Sequence, residues 1–181
     1  MRISRFTFAA ILALAMTAPW CMAADDVKTY FIGEAKLSDA SGKSMGSQAL
    51  LLEKSENREK SLIVESAIVV RPDGGVEKHA MHLQVTGSTF TLKDDTGTIA
   101  GEGTLFGIPW QWTYWRGTFH GANGVQIEDE NFIADPNIAV ARKKITGTDG
   151  KVLMYMDVTV KSITPEMFQI LSSALLKKGK D

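Results

Sequence analysis

Five short stretches constrain this chain more than anything else in it: "SGKSMG", "RPDGG", "DDTG", "GANG" and "GTDG". They supply the glycine, asparagine and aspartate that tight hairpin turns need for positive φ. The segments around and between them, near residues 27–37, 47–54, 61–70, 76–86, 88–93, 98–106, 109–120, 125–133, 137–146 and 151–161, are rich in β-branched and aromatic residues. Several alternate apolar with polar side chains, the mark of a half-buried strand. Short strands joined by hairpin links form an antiparallel meander. About ten of them exceed what an open twisted sheet carries without curling or splitting, so closure as a barrel or packing as a sandwich is predicted. Glycines choose between these. "GTIAGEGTLFG" sets Gly97, Gly101, Gly103 and Gly107 in and beside one strand, where glycine marks a bend at a barrel corner. The expected class is all-β, an up-and-down barrel of about 8–10 strands.

The two ends of the chain read differently. "MRISRFTFAAILALAMTAPWCMAADD" has arginines at positions 2 and 5, an apolar run over Phe6–Met16, Pro19, and small residues before an acidic pair. That is the layout of a Sec-type signal peptide. Residues 1–23 are expected to be removed after Ala23 and the chain to be periplasmic or secreted. A lipid-attachment role for Cys21 is the other reading, with Trp20 standing where a lipobox wants a small residue. The remaining chain, 24–181, is read as one domain without an integral membrane segment. Its other end, "TPEMFQILSSALLKKGKD", begins with Thr164 as an N-cap and Pro165 at the first helical position. An amphipathic helix over 164–178 is predicted, with Met167, Ile170, Leu171 and Ala174 on the face that docks on the sheet.

Charge and cysteine narrow the function classes. Removing residues 1–23 takes away Arg2 and Arg5 and no acid, which moves the formal charge from −1 to −3. A basic face for nucleic acid is not indicated. The same cut removes Cys21, the single cysteine, and with it any disulfide, thiol nucleophile or thiolate ligand. The fold then rests on burial alone.

The stretch with the most chemistry in it is "IPWQWTYWRG", residues 108–117. In an unbroken strand Trp110, Trp112, Tyr114 and Arg116 share one face, opposite Gln111, Thr113 and Trp115. Three aligned rings can be plain core, the wall of a cavity, or an exposed partner patch. Arg116 could close one barrel end by a cation–π contact. "KVLMYMDVTVK" places Met154 and Met156 on one face with Val152 and Val158, and methionines adapt to variable apolar contacts. The candidate ligand-binding set is therefore Trp110, Trp112, Tyr114, Arg116, Met154 and Met156.

A meander of hairpins, a tryptophan-rich strand and a C-terminal helix in an exported chain resemble the lipocalin-like, or calycin, barrels, and among them the bacterial periplasmic members, over roughly residues 26–178. The signature Gly-x-Trp of the first lipocalin strand is replaced, since "YFIGEAKL" follows Gly33 with Glu34 and Ala35. The resemblance implies a non-enzymatic carrier or sensor that holds an apolar ligand or lipid inside the barrel.

Signals for catalysis or metal are thin. His79 and His82 lie three apart, which on a strand sends them to opposite faces, and His120 falls near a turn. The acidic run Glu128–Asn131, followed by Asp135, reads as a solvated strand face, or as oxygen ligands for a divalent cation without EF-hand spacing. No G-x-S-x-G elbow, P-loop or HExxH occurs, and no cofactor is implied. Two functions remain: a barrel that binds a small hydrophobic or amphipathic molecule, and an envelope structural or interaction protein whose barrel is filled by its own side chains.

Overall fold

The computed structural model describes residues 26–178. The leader expected over residues 1–23 and its expected cleavage site lie outside them. Ten strands follow one another: β1 (Val27–Asp39), β2 (Ser44–Asn57), β3 (Leu62–Val70), β4 (Val76–Thr86), β5 (Thr89–Asp94), β6 (Ala100–Ile108), β7 (Gln111–His120), β8 (Gln126–Asp135), β9 (Ile138–Thr146) and β10 (Val152–Ile163), then helix α1 (Pro165–Lys178). Each strand pairs antiparallel with its neighbours in sequence, and β10 pairs with β1 to close the barrel. All ten strands read from the sequence are present. The five glycine-rich turns join β1 to β2, β3 to β4, β5 to β6, β7 to β8 and β9 to β10, so they gather at one end, here the upper end. Gly74 and Gly150 show why the motif is needed, with φ of 84° and 75°.

The inner wall carries the alternate residues of every strand. Phe31, Leu50, Leu52, Ile63, Val69, Met81, Leu83, Phe90, Phe119, Met154, Met156 and Val158 belong to one continuous buried cluster. Glycines stand on the inner wall where strands approach closely. A Cβ on Gly103 would lie 2.4 Å from the Arg116 carbonyl oxygen and equally near the Phe90 ring. A Cβ on Gly117 would lie 2.6 Å from the Phe119 ring. Without side chains there, the β6–β7 wall settles against those rings, which is the physical content of the predicted barrel corner.

Helix α1 starts at the lower end and lies against the outside of β1 and β2. Thr164 caps it, its Oγ1 accepting from the Met167 N–H at 3.3 Å. The docked face differs from the predicted one. Phe168, Leu171, Ser172 and Leu175 are half-buried, while Met167 and Ile170 are 50% and 70% exposed and Ala174 is exposed. Of the expected four, Leu171 alone turns inward. The helix is rotated because Phe168 meets Tyr30, ring centroids 4.8 Å apart, a contact that spacing within the helix does not reveal. Phe168→Ala should cost about 1–2 kcal/mol in chemical denaturation, whereas Ile170→Ser should change stability by less than about 0.5 kcal/mol.

Candidate functional site

Alternation places charge inside the barrel as well as apolar residues. On β2 the inward series Leu50, Leu52 continues as Lys54 and Glu56, both buried. On β3 Glu65 faces inward directly across from Lys54. On β8 the inward residues between Ile127 and Ile133 are Asp129 and Asn131, and on β9 the inward Ala139 and Ala141 are followed by Lys143. Burying an unpaired charge is prohibitive, so these groups meet one another. The Lys143 Nζ donates to Asp129 Oδ2 at 2.6 Å, and the Lys54 Nζ lies 2.5 Å from Glu56 Oε1. Burial holds the Lys54 ammonium below the ordinary lysine range, against the opposing pull of Glu56 and Glu65.

The aromatic stretch is broken by a β-bulge. Phe106 faces Tyr114 while the next residue, Gly107, faces Trp112, so Thr113 is the extra residue and alternation restarts after it. Trp112 and Trp115 therefore both point into the barrel and are buried. The expected single face of Trp110, Trp112, Tyr114 and Arg116 is corrected accordingly. Tyr114 and Arg116 lie on the outer wall, where the Tyr114 hydroxyl meets Glu130 at 3.3 Å and the Arg116 guanidinium lies 5.8 Å from the Phe106 ring. Trp110 occupies the β6–β7 turn at the lower end with φ 64°. Its ring packs on Trp112 at 5.2 Å.

The cation–π contact at a barrel end exists, made by a different arginine. The Arg58 guanidinium lies 5.8 Å from the Trp110 ring and 3.9 Å from Glu56 Oε2. Arg58 belongs to the β2–β3 turn and Trp110 to the β6–β7 turn, so the pair ties two lower turns together beneath the buried ion pair of β2. Met154 and Met156 are inward and buried as expected, and Met156 stands beside Lys143 across β9 and β10.

One region of this inner wall is chemically incomplete. Asn131 is 0% exposed, yet neither its Oδ1 nor its Nδ2 has a hydrogen-bond partner within the protein. Trp115 faces it across β7 and β8, and the Trp115 Nε1 is also buried without a partner. So are Asp129 Oδ1, two residues along the strand, and Gln48 Oε1 on β2. Buried polar groups in folded proteins are nearly always satisfied. Small residues flank the cluster: Ala141 sits across from Asn131, Ala139 next to it on the same strand, and Gly117 across from Asp129. Asp129 and Asn131, expected on a solvated strand face or as oxygen ligands for a cation, are instead buried, as is Lys143, which was not singled out; counting by twos from Ile127 or Ala139 places all three inside.

The remaining candidates lie elsewhere. Glu128 and Glu130 point outward, so the acidic run is split between the two faces. His79 is half-buried with its Nε2 3.3 Å from Glu77, and His82 and His120 are exposed. Among the described residues no group of three His, Cys, Asp or Glu side chains could hold a metal ion. No helix among them is long and apolar enough to cross a membrane. On the outer wall a groove of about 920 Å³ runs across β5–β10, lined by Glu102, Arg116, Glu130, Arg142, Lys144 and Tyr155 among others. Gly103 and Gly117 are among its lining residues.

No family model matches the chain, and no curated protein matches it in sequence. Its fold is similar to that of a DUF3598-family protein of unknown function from Nostoc punctiforme, with a TM-score of 0.56 and 9% identity over 74% of this chain. The chain spans 46% of that longer protein. It is also similar to the S-type phycobiliprotein lyase CPES from Guillardia theta, with a TM-score of 0.54 and 14% identity, covering 75% of this chain and 87% of the lyase. At such identities the likeness is one of fold. The second neighbour nonetheless corrects the expectation of a non-enzymatic chain: a barrel of this build occurs in a protein named as a lyase, so the architecture gives no ground for excluding catalysis. What the strand order establishes is a ten-stranded, closed, up-and-down barrel, and these two solved structures share that kind of fold.

Proposed function

We propose that the barrel binds a small amphipathic molecule in its interior, with the polar part of the ligand at Asn131, Trp115 and Asp129 and its apolar part among Trp112, Met154 and Met156. One observation carries this reading: a fully buried asparagine with both ends of its amide unpartnered, beside an unpartnered indole N–H. An apolar residue of the same shape would be cheaper at that position unless something meets the amide. The alanines and Gly117 around it keep the wall low, and methionine side chains can shift to admit a guest. The fold supports the reading in kind, since a lyase named for phycobiliproteins is built on a similar barrel. Export would set this binding in the periplasm or outside the cell, consistent with the leader-like residues 1–23. The Arg116 and Tyr114 side chains, being on the outer wall, are left out of the site.

N-phenyl-1-naphthylamine, a neutral apolar probe with one N–H, tests the reading. Saturable binding with quenching of the inward tryptophans is expected, and Asn131→Leu should weaken it about tenfold while the barrel stays folded, the loss of one or two hydrogen bonds of about 1 kcal/mol each. An Asn131→Leu protein that binds the probe as tightly as the parent would refute the site, and a parent without saturable binding would favour the barrel filled by its own side chains.

A further inference from the structure

The inner wall also says which chemical class of guest it accepts. We infer that the interior selects neutral, hydrogen-bond-donating amphiphiles and rejects anionic ones such as ionised fatty acids, an inference that rests on the interior-binding reading above. The cations of the interior are already committed. Lys143 is held by Asp129 at 2.6 Å, Lys54 by Glu56 at 2.5 Å with Glu65 across from it, and Arg58 at the lower end lies 3.9 Å from Glu56. Three carboxylates, Glu56, Glu65 and Asp129, thus face two buried ammonium groups. A guest carboxylate placed at Asn131 would meet no uncommitted buried ammonium and would stand beside Asp129. In a medium of low dielectric that repulsion is felt strongly.

The unpartnered atoms point the same way. Beside Asn131 both kinds of group are open: Asp129 Oδ1 and Asn131 Oδ1 accept, while the Asn131 Nδ2 and Trp115 Nε1 donate. A guest that completes this wall brings O–H or N–H groups to it, with a carbonyl or ether oxygen for the amide and the indole. A hydroxylated or amide-bearing amphiphile satisfies both requirements. A fatty acid anion, having acceptors alone, serves the amide and indole N–H groups but brings no donor to Asp129 Oδ1 or Asn131 Oδ1.

Two probes of equal chain length separate the classes: 1-monolauroylglycerol, below its micelle concentration, and laurate at pH 8, each competing with N-phenyl-1-naphthylamine. The monoglyceride should displace the probe at least about tenfold more effectively than laurate. Asp129→Asn removes the carboxylate and leaves the Lys143 ammonium available to a guest, so laurate should gain on the monoglyceride by about tenfold or more. The double variant Asp129→Leu/Lys143→Met, which buries no unpaired charge, should lose that gain. Laurate competing as well as the monoglyceride in the parent overturns the inference while leaving interior binding intact. A selectivity unaltered by Asp129→Asn overturns the role given to Asp129, and a parent that binds none of the three molecules defeats the interior site itself.

Discussion

Lys143→Met should destabilise the barrel by about 3–5 kcal/mol, the cost of stranding a buried carboxylate. The methionine fits the volume and keeps the apolar stem, so the loss isolates the charge. Asp129 then keeps one oxygen that already lacked a partner and loses the other's bond at 2.6 Å. For a domain of this size the melting midpoint should fall by about 10–15 °C. Restoring apolar balance with Asp129→Leu in the same protein should recover most of the loss, because an ion pair replaced whole by packed side chains is often neutral or better. Thermal and urea denaturation of the three variants check this as a double-mutant cycle. If Lys143→Met melts with the parent, Asp129 is hydrated from outside and the inner wall is not the closed environment described above.

Gly33→Ala should cost about 3 kcal/mol or more, the upper range of overpacking, because the new methyl has nowhere to move. Its Cβ would stand 2.1 Å from the Thr159 carbonyl oxygen and 2.7 Å from the Val160 Cα, both backbone atoms. Gly33 pairs with Val160 across the junction of β1 and β10, so the strain falls on the contact that closes the ring. Gly42→Ala makes the comparison: no atom lies within 4 Å of its Cβ, and the penalty there is the backbone cost of a positive φ alone, about 1 kcal/mol. Urea unfolding of both variants distinguishes crowding at the seam from a general intolerance of added methyls; equal midpoints would count against the close approach of β1 and β10.

The fold was legible because its signals are local. "RPDGG" and "GTDG" announce turns from their own residues, and the segments between them have no other short-range reading than strands. The register of the aromatic strand was not legible, for a physical reason: whether Thr113 is paired or bulged depends on Gly107 in the neighbouring strand, and one extra residue exchanges the faces of everything beyond it. That is why Tyr114 and Arg116 were expected inside and are found outside. The helix face failed similarly, since the choice between Met167 and Phe168 is made by Tyr30, far away in sequence. The polar interior was partly legible. Asp129, Asn131 and Lys143 follow from alternation anchored on Ile127 and Ala139, but an acidic cluster such as "EDEN" invites reading as a surface, and the pairing of Asp129 with Lys143 across two strands makes burial affordable. Lys54 and Glu56 carried the same signal in "LLLEKSEN", where the inward count passes straight from leucine to charge.

The barrel's up-and-down order concentrates all of its long-range topology in one place. Nine of the ten strand pairs join sequence neighbours through short turns, while the tenth brings Tyr30 against Ile163, 133 positions later. Loop closure over that distance costs about 4 kcal/mol of chain entropy, against about 1 kcal/mol for a hairpin turn. Nothing in the meander offsets that cost until the ends meet, so the nine local pairs can assemble as a curling sheet whose two free edges join last. Both edges end at the lower rim, beside the turns tied by Arg58 and Trp110 and under the helix that leaves β10 and crosses back over β1 and β2. The helix thus acts as a clasp over the sheet's one long-range joint, its Phe168 holding Tyr30 of β1 close to the end of β10.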